Sequence, residues 1–557
     1  MESFSAQHLE SGEQISAEPT DEYPEATLLL EPGVRIDSKS PHVSWVPPPG
    51  FLWVEIAIFS NVFLSGFDGT ITASTYAVIG SEFNAANTIS WLTTSYLITS
   101  TAFQPLYGRF SDILGRRTCF FTATITFLLG CLGCGLAPDV VSLNLMRALA
   151  GLGGGGLMTM ATIINSDMIP FQERGMYQAC QNVLHGFGSI CGASMGGWIA
   201  DTIGWRWCFL CQVPVSIFAF IVGHYVIDDK RTLEVIVEQS QEPEPVVRAS
   251  FWKQIDLSGA ILLVLGLSAQ MAALSMGGNN YTWTDIRVII SLIISAVLLA
   301  LFVIVEIRTH AIPVMPMSML KGQLAVSNLI SNICVGMAAY SFLFMIPLFF
   351  QVVLRDSPSQ AGLRLVVPSL ATPIGGLIAG IVMSRVGKLS WLVRMGCFLM
   401  MLGNGLVASL QYTESAKWKY LFYLVPANLG QGMAYPGILF TFLAASDHSQ
   451  QAVSTSMVYL FRSLGTVWGV AASSAIIQNV LSSQLPLALS GVPNKEQIIE
   501  EIRHSVTVLD TLPVEIQSIA RHIYYKALVY SFQASTAVGA IAFISAFFAR
   551  GGNLNRK

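Results

Sequence analysis

Apolar stretches of about 20 residues, the length that crosses a hydrocarbon core of about 30 Å at 1.5 Å per residue, recur along almost the whole chain. Counted between charged or Pro/Gly-rich breaks, they fall near 53–76, 90–108, 117–137, 142–164, 176–200, 207–227, 256–277, 285–306, 324–353, 361–384, 391–411, 418–444, 451–480 and 526–549. Only 11% of the 557 residues are charged, against roughly 25% in an ordinary soluble domain, so a water-facing surface cannot be built from this chain. The bilayer is its solvent, and the expected class is an all-α polytopic membrane protein with fourteen spans. A formal net charge of −4 without blocks of like charge excludes nucleic acid as a partner.

An even number of spans puts both termini on one side, and short loops rich in Lys and Arg stay cytosolic. The loops with Arg109, Arg116 and Arg117, with Lys230 and Arg231, and with Arg385, Lys388 and Arg394 all share the side of the termini, which is therefore expected to be the cytosol. The one N-x-S/T sequon, at Asn280, falls on the other side, where glycosylation occurs. Residues 1–50 read as a disordered cytosolic tail without a signal peptide, so the first span is expected to serve as its own insertion signal. In that tail Glu25 precedes Leu29 and Leu30, which is either the pattern of an acidic dileucine sorting signal or a chance apolar triplet. The nine cysteines fall mostly in apolar segments, and no metal site, cofactor or disulfide framework is expected.

Two charges of opposite sign stand well inside apolar spans of the first half. An intramembrane charge costs roughly 2.5–3.5 kcal/mol on insertion scales, so it is seldom present without a partner or a wet cavity. Asp68 lies about 22 Å along the first span from its cytosolic start, and Arg147 about 8 Å into the fourth span from the opposite side. In a core of about 30 Å these depths coincide. The two are expected to face each other or a shared aqueous cavity, with Asp68 exchanging a proton; the plainer alternative is a static pair that holds the helices. Gln104, Gln181, Asn182 and Tyr435 are candidates to line a cavity, or polar groups used in helix packing. His185 and Arg462 are intramembrane as well. Gly151-Leu-Gly153-Gly-Gly-Gly156 also satisfies G-x-G-x-x-G, but within an apolar span it is a helix-packing run and not a nucleotide loop.

Between the second and third spans, Gly108-Arg-Phe-Ser-Asp112-Ile-Leu-Gly115-Arg116-Arg117 resembles motif A of the major facilitator superfamily, with Ile113 where that family carries a basic residue. The segment Leu143 to Gly153, containing Arg147, resembles motif B. Gly186-Phe-Gly188-Ser-Ile-Cys-Gly192-Ala193-Ser-Met-Gly196-Gly197 resembles motif C, the antiporter motif, with Ala193 in place of the usual proline. Phe67-Asp68-Gly-Thr70-Ile71 and Gly204-Trp-Arg-Trp-Cys-Phe209 are similar to the fourteen-span drug:proton antiporter group. Ala102-Phe-Gln104-Pro105-Leu-Tyr-Gly108, Glu173-Arg-Gly-Met-Tyr177-Gln178 and Gln212-Val-Pro214 resemble the fungal vacuolar basic amino acid transporters.

The resemblance covers Phe51 to Arg550 and implies a major facilitator fold, not an enzyme. The expected layout is a six-span bundle at 51–228, a cytosolic linker at 229–255, two additional spans at 256–306 and a second six-span bundle at 324–549. A non-cytosolic loop at about 481–525 and a cytosolic tail at 550–557 complete it. By the same resemblance Asp112, Arg116 and Arg117 stabilise the outward-open state. The chain would then import lysine, arginine and histidine into the vacuole in exchange for protons, as a multi-pass protein of the vacuole membrane. Drug or toxin efflux by proton exchange at the plasma membrane is the alternative, and a non-transporting nutrient sensor a third.

Overall fold

The computed structural model describes residues 47–83, 91–227, 256–277, 281–309, 311–356, 358–385, 388–413, 416–446, 450–490, 492, 495–504, 509 and 512–549. The candidate sorting residues Glu25, Leu29 and Leu30, the sequon at Asn280, the 229–255 linker and the 550–557 tail lie outside them. Among the described residues the regular structure is helical, apart from one isolated bridge between Gly277 and Tyr281. A chain in lipid must satisfy its backbone donors internally, and a helix does so within each segment.

The first half consists of α1 (Phe51–Glu82), α2 (Trp91–Leu114), α3 (Arg116–Leu136), α4 (Val140–Met168), α5 (Phe171–Thr202), the short α6 (Arg206–Leu210) and α7 (Gln212–Val226). Two helices follow, α8 (Leu257–Met276) and α9 (Ile286–Arg308). The second half consists of α10 (Gln323–Leu348), α11 (Pro358–Ser369), α12 (Ala371–Arg385), α13 (Leu389–Ala408), α14 (Lys419–Phe422), α15 (Val425–Leu443), α16 (Gln451–Ala488), α17 (Lys495–His504) and α18 (Val514–Phe548).

Among the described residues eleven helical runs are long and apolar enough, by length and composition, to cross a membrane. Three more helices, α2, α5 and α15, have 24, 32 and 19 residues and are interrupted by polar residues, glycine or proline. Their placement explains that composition. α2 packs on α16, and α5 on α12 and α15, so each of these helices meets the opposite half as well as its own. α8 leans on α2 and α16 through Ala102, Leu106, Leu263, Leu267, Met457 and Leu460. α9 packs on α8 and turns Ile289, Ile290, Ile293, Ile294 and Val297 outward, as a lipid-facing helix must.

The stretch expected as a loop at about 481–525 is largely helical. α16 continues to Ala488, α17 occupies Lys495–His504 and α18 begins at Val514. Charged residues interrupt the apolar run there, but Leu481, Leu485, Ile499, Ile502, Ile516, Ala520 and Ile523 share one buried cluster. These helices bury one face and carry charges on the other, and a count of continuous apolar residues does not detect them.

Candidate functional site

Asp68 of α1 and Arg147 of α4 meet in the interior of the first half. Nη1 of Arg147 donates to both carboxylate oxygens of Asp68, at 2.8 and 2.9 Å. The coincident depths argued from helix rise thus correspond to direct contact. Arg147 Nε donates to the Leu92 carbonyl at 3.3 Å, and the guanidinium lies over the rings of Tyr96 and Phe209, 4.4 and 5.5 Å from their centroids. Gln212 of α7 adds a third bond, its Nε2 donating to Asp68 Oδ1 at 3.3 Å. Both charged side chains are fully buried, so in this conformation the pair is sealed from solvent.

α1 can lie this close to its neighbours because α5 presents backbone instead of side chains along their crossing. A Cβ at Gly188 would overlap the Phe63 carbonyl, and one at Gly192 would overlap the Phe67 carbonyl and Thr70 Oγ1. Thr70 in turn donates to the Ser189 carbonyl at 2.7 Å. Two glycines of the antiporter-like motif therefore set the position of Phe67 and Asp68. Gly197 has open space where a Cβ would stand, and Gly196 contributes a carbonyl 3.4 Å from Cys208 Sγ.

The charged motif between α2 and α3 lies at the end of the bundle that carries Arg109 and Arg116, hereafter the basic end. Gly115 precedes α3 with φ of 92°, a conformation a glycine adopts without penalty. Arg116 donates to Asp112 at 2.6 Å and, through Nε, to Asp167 of α4 at 2.7 Å; Arg109 lies 3.9 Å from Asp112. Arg117 donates to the His224 carbonyl of α7 at 3.1 Å. These bonds tie α2, α3, α4 and α7 to one another within the first half. Contact across to the second half is made beside them. A Cβ at Gly108 would overlap Ser456 and Ala452 of α16. Arg174 of α5 donates to Gln451 of α16 at 2.8 Å, and Phe171 packs edge-on to Phe440 at 5.7 Å.

The polar candidates divide between packing and the seam between the halves. Gln104 accepts from Ser463 of α16 at 3.0 Å. Gln181 is fully buried and bonded inside its own half to the Ala161 carbonyl and to Thr162. Asn182 faces Gly376 of α12 across the seam. Tyr435 lies under the guanidinium of Arg462, 4.0 Å from ring centroid to cation. At the end opposite the basic one, Trp205 Nε1 and Arg206 Nη1 donate to Glu82 at 2.6 and 2.7 Å. Arg206 foremost, then Trp205, holds the Glu82 carboxyl below its ordinary value of 4.5.

Several partners escaped the sequence reading. Tyr96, Phe209 and Gln212 enclose the ion pair; Phe209 and Gln212 stood in family-like segments without an assigned role, and Tyr96 carried only a packing signal. Glu55, near the start of α1, is buried as well. Its Oε2 accepts from Asn165 Nδ2 at 3.5 Å, while Oε1 has no hydrogen-bond partner. Its place in an apolar run was the available signal, obscured by its nearness to the span's end.

Residues 58–470 match the sequence profile of a family described as Major Facilitator Superfamily. The chain is 44% identical over 463 residues, 82% of its own length and 96% of the relative's, to a Saccharomyces cerevisiae protein called vacuolar basic amino acid transporter 2. It is 36% identical over 512 residues, covering 91% of this chain and 93% of the relative, to the Schizosaccharomyces pombe multidrug resistance protein fnx1. Among solved structures, the proton:xylose symporter XylE superposes with a TM-score of 0.54 at 13% identity, covering 86% of this chain and 94% of that one.

Proposed function

This chain belongs to the Major Facilitator Superfamily, and from that premise we propose that it is a proton-coupled antiporter carrying lysine, arginine and histidine into the vacuole. The observation that carries the substrate class and compartment is the likeness, along nearly the whole relative, to a protein named for vacuolar basic amino acid transport. The proposed layout has fourteen spans, two six-span bundles separated by α8 and α9, and both termini in the cytosol. The basic end is then cytosolic. Contacts named between the halves, from Gly108 and Ser456 to Arg174 and Gln451, draw that end together, which is the arrangement expected of a transporter facing the lumen.

In this mechanism the motif of Gly108, Asp112, Gly115, Arg116 and Arg117 braces the closed cytosolic end, and Gly188, Gly192, Gly196 and Gly197 let α5 slide against α1. Asp68 takes up and releases the proton, and Arg147 holds it when charged. Gln104, Gln181, Asn182 and Tyr435 belong to the substrate path or its packing. Glycosylation at Asn280 and adaptor binding at Glu25, Leu29 and Leu30 complete the proposal.

A second reading, drug efflux at the plasma membrane, is favoured by the relative named for multidrug resistance. Uptake of labelled lysine, arginine and histidine into vacuolar vesicles, with and without the protein and with Asp68→Asn, decides between them. Uptake that needs both the proton gradient and Asp68 is the expected result. No difference between the vesicles would move the assignment to efflux.

A further inference from the structure

Arg462 is the cation that the ion pairing of the first half leaves unexplained. It sits on α16, about 16 Å from the basic-end start of that helix at 1.5 Å per residue, near the middle of a core of about 30 Å. A cation at that depth needs an answering group. Arg147 has Asp68. Among the described residues no carboxylate forms an ion pair with Arg462.

Its surroundings supply ring faces and donors instead. The guanidinium lies 4.0 Å from the ring centroid of Tyr435 and 4.9 Å from that of Tyr459. Nη2 donates to the Tyr435 carbonyl at a long 3.3 Å, and Nε is buried with no hydrogen-bond partner. The Tyr435 hydroxyl, beside Gln431, is also buried and has no partner of normal geometry. Tyr459 faces the first half, its hydroxyl 2.9 Å from Thr162 of α4, and His185 of α5 lies within electrostatic reach of Arg462. Unlike the sealed pair at Asp68, Arg462 is only half-buried.

The cluster leaves two buried donors unused, Arg462 Nε and the Tyr435 hydroxyl, near mid-membrane and where the two halves meet. Such a place suits an anion, and a guanidinium set beside two rings still offers a planar fork that matches the two oxygens of a carboxylate. The geometry points to Arg462, with the Tyr435 hydroxyl, as the receptor for the α-carboxylate of the transported amino acid, a site that rests on the amino acid reading above. The cationic side chain of the substrate then lies away from Arg462. Recognition is by the carboxylate, so the decarboxylated counterparts of the substrates are excluded although they carry the same side-chain charge.

The test is uptake of labelled lysine by proteoliposomes containing the full chain, with unlabelled lysine, lysine methyl ester and cadaverine as competitors. Lysine is expected to compete at least tenfold better than the ester or cadaverine. Arg462→Gln is expected to raise the KM for lysine at least tenfold, Arg462→Lys to recover part of that loss, and Tyr435→Phe, which keeps the ring, to raise it several-fold. Competition by cadaverine equal to that by lysine, or an unchanged KM in both Arg462→Gln and Tyr435→Phe, overturns the assignment. If the wild-type protein moves no amino acid, the substrate reading fails, and thermal stabilisation of the purified protein by benzoate and butyrate then decides for Arg462. Stabilisation lost in Arg462→Gln upholds a carboxylate site, and no stabilisation overturns it.

Discussion

Nη1 of Arg147 lies 2.8 Å from one oxygen and 2.9 Å from the other oxygen of Asp68, and neither side chain exposes more than 1% of its surface. The two charges thus answer each other, with Gln212 donating to Asp68 and the rings of Tyr96 and Phe209 facing Arg147. An arrangement of this kind serves either as a fixed brace or as a gated proton store, and variants that remove one or both charges separate the two roles.

Removing one partner of a buried pair leaves an uncompensated charge and costs about 3–5 kcal/mol, whereas removing both is close to neutral. Arg147→Gln alone is therefore expected to lower the melting temperature and the yield of monodisperse protein, and the double variant with Asp68→Asn to regain both. If Asp68 carries the proton, the refolded double variant exchanges labelled lysine across proteoliposomes but no longer accumulates it against a pH gradient. Gradient-driven accumulation at the wild-type level in the double variant would assign the pair to bracing alone.

The glycine seam makes a position-specific prediction. Gly188 and Gly192 leave no room for a Cβ against the α1 backbone, while Gly197 has open space. Gly188→Ala and Gly192→Ala are expected to push α1 outward, stretch the Asp68–Arg147 bond and lower lysine uptake at least tenfold. Gly197→Ala is expected to transport within twofold of wild type. Equal tolerance at all three positions would mean that the α1–α5 spacing does not govern the site.

The depths of Asp68 and Arg147 were legible from the sequence because a helix rises by a fixed amount per residue and an intramembrane charge is too costly to be incidental. What surrounds them was not. In a soluble helix the apolar stripe shows which face points inward, but lipid and protein core are equally apolar, so α4 and α7 carry no comparable mark. Gln212, Tyr96 and Phe209 reach the pair through helix rotation, which periodicity does not encode here. The glycines of α5 stood out through their likeness to the antiporter motif, and the structure adds that Phe63, Phe67 and Thr70 are what they approach. The helices beyond residue 480 were hidden for another reason, since their buried Leu and Ile alternate with charges and end each apolar run early.

Glu82 gives a pH dependence whose sign follows from its partner. Its carboxyl is held below its ordinary value of 4.5 by Arg206 and Trp205. A carboxylate with a lowered folded value contributes stability that is present above the unfolded value and lost as pH falls through the lowered one. The pair therefore stays intact at mildly acidic pH. Both side chains are well exposed, at 39% and 45%, so the contribution is at most about 1 kcal/mol. Glu82→Gln is expected to lower the melting temperature by the same small amount at pH 7 and pH 5.5, the difference fading only as the pH falls below the ordinary carboxylate range. A difference already gone at pH 5.5 would contradict the lowered carboxyl.

Rocking of the halves requires the basic end to open during each cycle, and a close approach of α5 to α12 there offers a direct way to prevent it. A Cβ at Gly175 of α5 would stand 3.0 Å from the Cβ of Met383 of α12. The Cβ atoms of a disulfide lie about 3.5–4.5 Å apart, so a slight separation of the two helices admits the bridge. Gly175→Cys with Met383→Cys is expected to cross-link under mild oxidation and to stop lysine uptake, with recovery on reduction. Each single variant controls for the native cysteines and should keep its activity in oxidant. Closure at this end is what motif A is argued to brace, so a cross-linked protein that still transports at the wild-type rate would place the moving contact elsewhere. Loss of uptake that tracks the cross-linked fraction makes the opening between α5 and α12 an obligatory step.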